Sequence, residues 1–181
     1  MESERWKRFF ERKKIWSYST NIELSVKRLI EGWFPWIVGK GCEKSLTTEY
    51  VKDTGKLSDP DLAFHDLETG ALLFYVNVTS DKTRLYSESH KLGIRPEQAN
   101  MNLSATQFYV CVLLKHKPPM PLFIRVDEAI RQIPSKTYRM VVDGDNTEQL
   151  MKYVPIHMWR PLEKMKQEID ELLRKHYTIR S

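Results

Sequence analysis

From residue 106 to residue 114 the chain reads TQFYVCVLL, apolar at nearly every position and bounded by polar stretches. A run without alternation predicts a central strand buried on both faces. Helical spacing marks two other segments. In TNIELSVKRLIEGWF, Ile22, Val26, Leu29, Ile30 and Trp33 recur at three- and four-residue intervals, and Thr20 with Glu23 has the form of a capping box. Pro35, Gly39 and Gly41 are expected to end that helix, with GKGCEKS as a loop after it. In PLEKMKQEIDELLRKHY, Leu162, Met165, Ile169, Leu172 and Leu173 form an apolar stripe, and Pro161 suits the first turn.

Between these lie shorter elements. SLTTEYVKD has strand composition, and DPDLAFHDLETGALLFYVNVT reads as a hairpin of strands 61–66 and 71–79 joined through LETG. The polar stretch 80–106 is expected to hold a short helix near 96–103. PPMP reads as a stiff connector, LFIRV as a strand, DEAIRQI as a short helix opened by Asp127, and KTYRMVV as a strand closed by DGDN. A helical piece near 147–152 and an edge segment YVPIHMW complete the pattern. The order of elements implies a single α/β domain with a mixed central β-sheet flanked by helices. Residues 1–19 form a basic aromatic segment, 20–160 the body, and 161–181 a C-terminal helix that packs on the domain or pairs with another chain in a homodimer or larger assembly.

Composition narrows the function. The chain has 181 residues, 29 basic against 24 acidic, and a formal net charge of +5, which favours a polyanionic partner. Cys42 and Cys111 stand far apart with no His or Cys at ligand spacing, which argues against structural zinc. Glycine-rich phosphate loops, GxSxG elbows and HExxH spacing are all missing. No apolar run is long enough to span a membrane, and the charged N-terminus lacks the apolar centre of a secretory signal, so a cytoplasmic protein is expected. The segment MESERWKRFFERKKIW interleaves cations with aromatics and fits a packed helix, an arm on phosphates or a membrane-surface helix.

The hairpin carries the candidate chemistry. Alternation puts Asp61, Ala63 and His65 on one face, with His65 expected to be a hydrogen-bonded core histidine. Folding about Thr69 sets His65 opposite Leu73 and Asp61 opposite Asn77, so polar groups at 61, 77 and 79 share one side of the sheet. Pro60-Asp61, a hairpin, an apolar strand ending in polar residues, a preceding helix with an acid and a following buried strand together resemble the core of the PD-(D/E)XK nuclease superfamily over roughly residues 20–115. The resemblance implies a restriction-endonuclease-like fold and Mg²⁺- or Mn²⁺-dependent hydrolysis of DNA. It makes Asp61 the family's aspartate, places Asn77 at the second acidic position and Thr79 at the lysine position, and matches Glu23 to the helix acid.

Two of those positions depart from the pattern. An Asn carbonyl brings no negative charge to a hard cation, and Thr79 brings no ammonium. Lys82 or Lys91 is expected to replace the lysine, and Asp81 to replace the carboxylate. Glu23, Asp61 and Asn77 are thus the expected metal ligands, and Asp61, Asn77, Thr79 and Lys82 the expected catalytic group. Arg5, Lys7, Arg8 and Lys13 of the N-terminal segment, with Lys40, Lys115 and Lys117, are the expected phosphate contacts. A non-catalytic binding or assembly domain of the same fold is the alternative.

Overall fold

The computed structural model describes residues 19–41, 60–100, 103, 105–142 and 145–180. The expected strand at 45–53, Cys42 and the four N-terminal cations Arg5, Lys7, Arg8 and Lys13 lie outside the described residues. Helix α1 (Ser19–Trp33) leads into strand β1 (Ile37–Gly41). The hairpin follows as β2 (Leu62–Asp66) and β3 (Leu72–Asp81), then β4 (Lys91–Ile94), the short helix α2 (Pro96–Ala99), β5 (Thr106–Leu113) and β6 (Met120–Arg125). Helix α3 (Glu128–Arg131), β7 (Ser135–Val142), β8 (Asp145–Pro155), β9 (Arg160–Pro161) and α4 (Glu163–Arg180) complete the chain.

A six-stranded mixed sheet runs β1-β2-β3-β5-β6-β9, and a three-stranded sheet runs β4-β8-β7. Among the described residues only β3 and β5 pair in parallel; the other neighbours are antiparallel. Strand β5 is buried from Gln107 to Leu113 because the sheet is covered on both sides. On one face α1 and α4 pack through Ile22, Val26, Ile30, Met165, Ile169 and Leu173 against Phe64, Phe74, Phe108, Val110 and Phe123. On the other face Leu92, Ile94, Ala99, Ile130, Val154 and Trp159 close over Tyr109, Cys111, Leu113, Leu122 and Ile124. The stripe of α4 is therefore taken up by this chain's own core, which resolves the choice between packing and pairing for that face.

Several expectations need correction. Residues 37–41 are a strand paired with β2, not a loop, so Lys40 sits on an edge strand in register with Ala63. Residues 147–152 lie in β8, held between β4 and β7, where ladder pairing outweighs a weak local helical pattern. Met120 and Pro121 belong to β6 instead of a connector, and Pro161 belongs to β9 ahead of the last helix. Thr20, expected to open the helix, lies within α1.

The hairpin turn is built by its own side chains. Gly70 adopts φ 71°, a conformation glycine reaches without penalty. Asp66 Oδ1 accepts the backbone N–H groups of Glu68 and Thr69 at 2.9 and 2.8 Å. The register runs Leu62–Val76, Ala63–Tyr75 and Phe64–Phe74, then shifts by one so that His65 faces Leu72 instead of Leu73. The shift lets Leu73 join Phe74 and Val76 in the helix-side core.

Candidate functional site

The first three hairpin pairs set the line on which Asp61 meets Asn77. Asp61 precedes β2 by one residue, and its Oδ2 accepts the backbone N–H of Val78 at 2.7 Å. This bond places the carboxylate against the backbone of residues 77 and 78. Asn77 pairs in parallel register with Tyr109, so both side chains share a sheet face. Asn77 is completely buried, and neither Oδ1 nor Nδ2 has a hydrogen-bond partner. Such an orphaned amide is uncommon, because burying an unpaired polar group costs about 1–3 kcal/mol.

Glu23 comes from α1. It is 2% exposed, its Oε2 has no hydrogen-bond partner, and it interacts electrostatically with Asp61, which is 8% exposed. Burial raises the Glu23 carboxyl well above its ordinary value, and the negative charge of Asp61 raises it further. Burial raises Asp61 too, opposed by the Val78 N–H and then by the positive charge of Arg95. The result is a linked pair in which Glu23 holds its proton at neutral pH when no cation lies beside it, while Asp61 carries the negative charge.

Arg95 is the cation the sequence reading missed. It stands half-buried between β4 and α2, and α2 is pinned to β5 by buried polar contacts. Tyr109 Oη donates to Gln98 Oε1 at 2.6 Å, and Gln107 Nε2 donates to the Gln98 carbonyl at 2.8 Å. The backbone N–H groups of Gln98 and Ala99 in turn donate to the Arg95 carbonyl at 3.2 and 3.1 Å. A signal for this was present: Gln107 and Tyr109 are polar groups of equal parity in an otherwise apolar strand, on the face that Asn77 shares.

The other expected residues are spread more widely. Thr79 is half-buried two places beyond Asn77 and aligned with Cys111. Asp81 closes β3, where its Oδ1 accepts from Thr83 N, Thr83 Oγ1 and Arg84 N at 2.8, 3.0 and 3.1 Å. At ~3.3 Å per residue it stands roughly 13 Å along the strand from Asn77, occupied in capping a turn. Lys82 is exposed beyond that strand end, and Lys91 lies 4.9 Å over the Tyr153 ring. Lys40 is exposed and shares the face of Ala63, hence that of Asp61. Lys115, 3.5 Å from Glu88, and Lys117 are exposed in the β5–β6 connection at the opposite end of β5. His65 is half-buried, and its Nδ1 has no partner, unlike the hydrogen-bonded histidine expected.

Among the described residues no group of three or more His, Cys, Asp or Glu side chains is gathered to hold a metal. The expected donor set is two carboxylates and one amide carbonyl. All are hard oxygen donors, and Mg²⁺ commonly takes one or two carboxylates while keeping several waters. The unpartnered Glu23 Oε2, linked to Asp61, is a donor of the kind such an ion takes, whereas the Asn77 amide lies on the sheet face that Tyr109 shares, away from the α1 side. No family model matches the sequence, and no curated protein matches it. Among the described residues no helix is long and apolar enough to cross a membrane.

Proposed function

We propose that this chain binds nucleic acid as a member of the PD-(D/E)XK class with a restriction-endonuclease-like fold, and hydrolyses phosphodiester bonds of DNA in the presence of Mg²⁺ or Mn²⁺. The observation that carries the reading is the meeting of Glu23 and Asp61, buried and electrostatically linked, at the strand position of the orphaned Asn77 amide. The element order supports it: a helix, an antiparallel β1-β2-β3 ladder, a short helix, and a buried strand parallel to β3.

Asp61 and Glu23 are the groups that would hold the ion. A divalent cation there supplies charge stabilisation at a phosphate and lowers the pKa of a bound water. The residues around it do the remainder. The Val78 N–H fixes the orientation of the Asp61 carboxylate, and Glu23 gives up its proton when positive charge arrives beside it. Thr79 offers a hydroxyl near the same face. Lys40, exposed on that face, is placed to contact a backbone phosphate.

The second reading is binding or assembly without cleavage. It is favoured by the positions of Lys82 and Lys91, neither of which brings an ammonium to Asp61. The test incubates plasmid and branched DNA with the full chain and Mg²⁺ or Mn²⁺, alongside Asp61→Asn. Nicking that disappears in the variant is the expected result. Cleavage that Asp61→Asn leaves intact would overturn the site, and salt-dependent binding without cleavage in either protein selects the second reading.

A further inference from the structure

We infer that Arg95 anchors the anionic ligand of the Asp61 site, a phosphate group of a nucleic-acid strand, from a position fixed by Tyr109 and Gln98. The inference rests on reading that site as one that takes nucleic acid, and it names the cation that Thr79 does not supply.

Three observations carry it. First, the chain at Arg95 is held in place. Tyr109 donates to Gln98 Oε1 at 2.6 Å and Gln107 to the Gln98 carbonyl at 2.8 Å, and all three side chains are buried. Because Tyr109 pairs with Asn77, this clamp fixes the start of α2 over the face that carries the orphaned amide. Second, the guanidinium lies close enough to Asp61 for its charge to be felt there, yet it makes no hydrogen bond or ion pair with a described residue. An arginine serving only to neutralise a buried aspartate would close its planar fork on the carboxylate. Arg95 instead keeps its donors open, half-exposed, beside the acidic pair. Third, the two lysines expected to replace the missing ammonium are elsewhere: Lys91 is engaged with Tyr153 and Lys82 projects past the end of β3.

This geometry makes opposite demands on two ligands. A phosphate gains a bidentate partner from Arg95, whereas a divalent ion at Asp61 and Glu23 feels its repulsion. A role confined to holding α2 in place would not separate the two.

The experiment measures both with the full chain. Fluorescence anisotropy follows binding of a short labelled DNA duplex over a range of NaCl, with Ca²⁺ replacing Mg²⁺ to suppress turnover. Calorimetry follows Mn²⁺ alone, without DNA. Arg95→Ala is expected to weaken duplex binding by roughly tenfold and to reduce the salt slope by about one. The same variant is expected to bind Mn²⁺ more tightly, by roughly three- to tenfold, because a like charge has been removed. Arg95→Gln, which keeps the stem and the backbone N–H, should do the same, and Arg95→Lys should keep most of the salt slope.

Duplex binding at wild-type strength and slope in Arg95→Gln overturns the inference. Mn²⁺ affinity unchanged or weakened in that variant overturns it as well. In either case the underlying reading of the site survives if wild type binds DNA and Asp61→Asn abolishes Mn²⁺ binding. Wild type that binds no duplex at any salt concentration removes both.

Discussion

The carboxylate of Asp61 accepts the backbone N–H of Val78 at 2.7 Å across the hairpin, so one oxygen of the candidate site also completes the strand pairing. The bond makes alanine a poor probe of chemistry here. Asp61→Ala leaves a buried N–H without an acceptor, at a cost of about 1–3 kcal/mol, whereas Asp61→Asn keeps a carbonyl there and removes only the charge. In urea unfolding, Asp61→Ala is expected to be clearly less stable than Asp61→Asn, while both lose metal binding. Equal midpoints would show that the bond contributes nothing.

Glu23 gives the site a pH signature in the absence of metal. Its carboxyl is raised above 4.5, first by burial and then by Asp61. A raised acid binds its proton more tightly in the folded chain than in the unfolded one. Its contribution is therefore fully present below the unfolded pKa and is lost as pH rises through the folded value. Metal-free protein should lose stability between about pH 4.5 and the alkaline side of neutrality, and Glu23→Gln should remove the part of that slope above about pH 6, the lower part being shared with Asp61, which is raised to about 6. At neutral pH the variant is expected to be more stable than wild type by roughly 1–3 kcal/mol, with the ranking reversed by excess Mn²⁺. Thermal melts with and without Mn²⁺ across that pH range check both statements. A wild type and variant with parallel pH profiles would contradict them.

The elements legible in the sequence were those whose pattern is dictated by one buried face. Strand β5 and helices α1 and α4 announce themselves because their apolar positions recur at fixed spacing, and the pairing line from Asp61 to Asn77 follows from hairpin parity alone. Strand β1 was hidden because Gly39 and Gly41 look like helix breakers, although Gly39 is required by the close approach of Phe64. Strand β8 was hidden because its pairing on both sides is a tertiary fact. The same applies to the site. Arg95 and Gln98 reach Asp61 and Tyr109 only through the path of the chain after β4, and Glu23 looked like a capping residue because its depth depends on the sheet beneath it.

A second pH effect, of opposite sign, sits at the far end of the hairpin. Asp66 Oδ2 accepts the hydroxyl of Tyr177 at 2.6 Å, tying the turn to the last helix. That bond and those from Thr69 and Glu68 lower the Asp66 carboxyl to about 2. A depressed acid contributes stability that is present above its unfolded pKa and is lost as pH falls through the folded value. Wild type should therefore lose stability between about pH 4 and pH 2, and Tyr177→Phe, which removes the largest cause, should lose less over that interval. Hydrogen exchange at Glu68 and Thr69 should also quicken in the variant. Unchanged exchange together with an unchanged acid limb would show that the helix does not hold the turn.

Gly39 tests how β1, and with it Lys40, is held beside the hairpin. A Cβ at this position would lie 2.8 Å from Phe64 Cε1 and 3.1 Å from Lys27 Cγ. The lysine stem is able to give way, but the ring is not. Phe64 is fully buried and stacked on Phe74 at 4.8 Å, and Phe74 meets Phe108 edge-on at 5.8 Å. The added methyl must push β1 outward, straining the bond from Gly39 N to Glu31 Oε2 at 2.9 Å. Gly39→Ala is expected to destabilise by about 1–3 kcal/mol, as overpacking does. Phe64→Leu destabilises alone by leaving a gap, yet it makes room for the methyl, so the double variant should be more stable than the sum of the two changes by at least about 0.5 kcal/mol. Urea titrations of the four proteins give that coupling directly, and strict additivity would mean that β1 accommodates the methyl without contacting the ring.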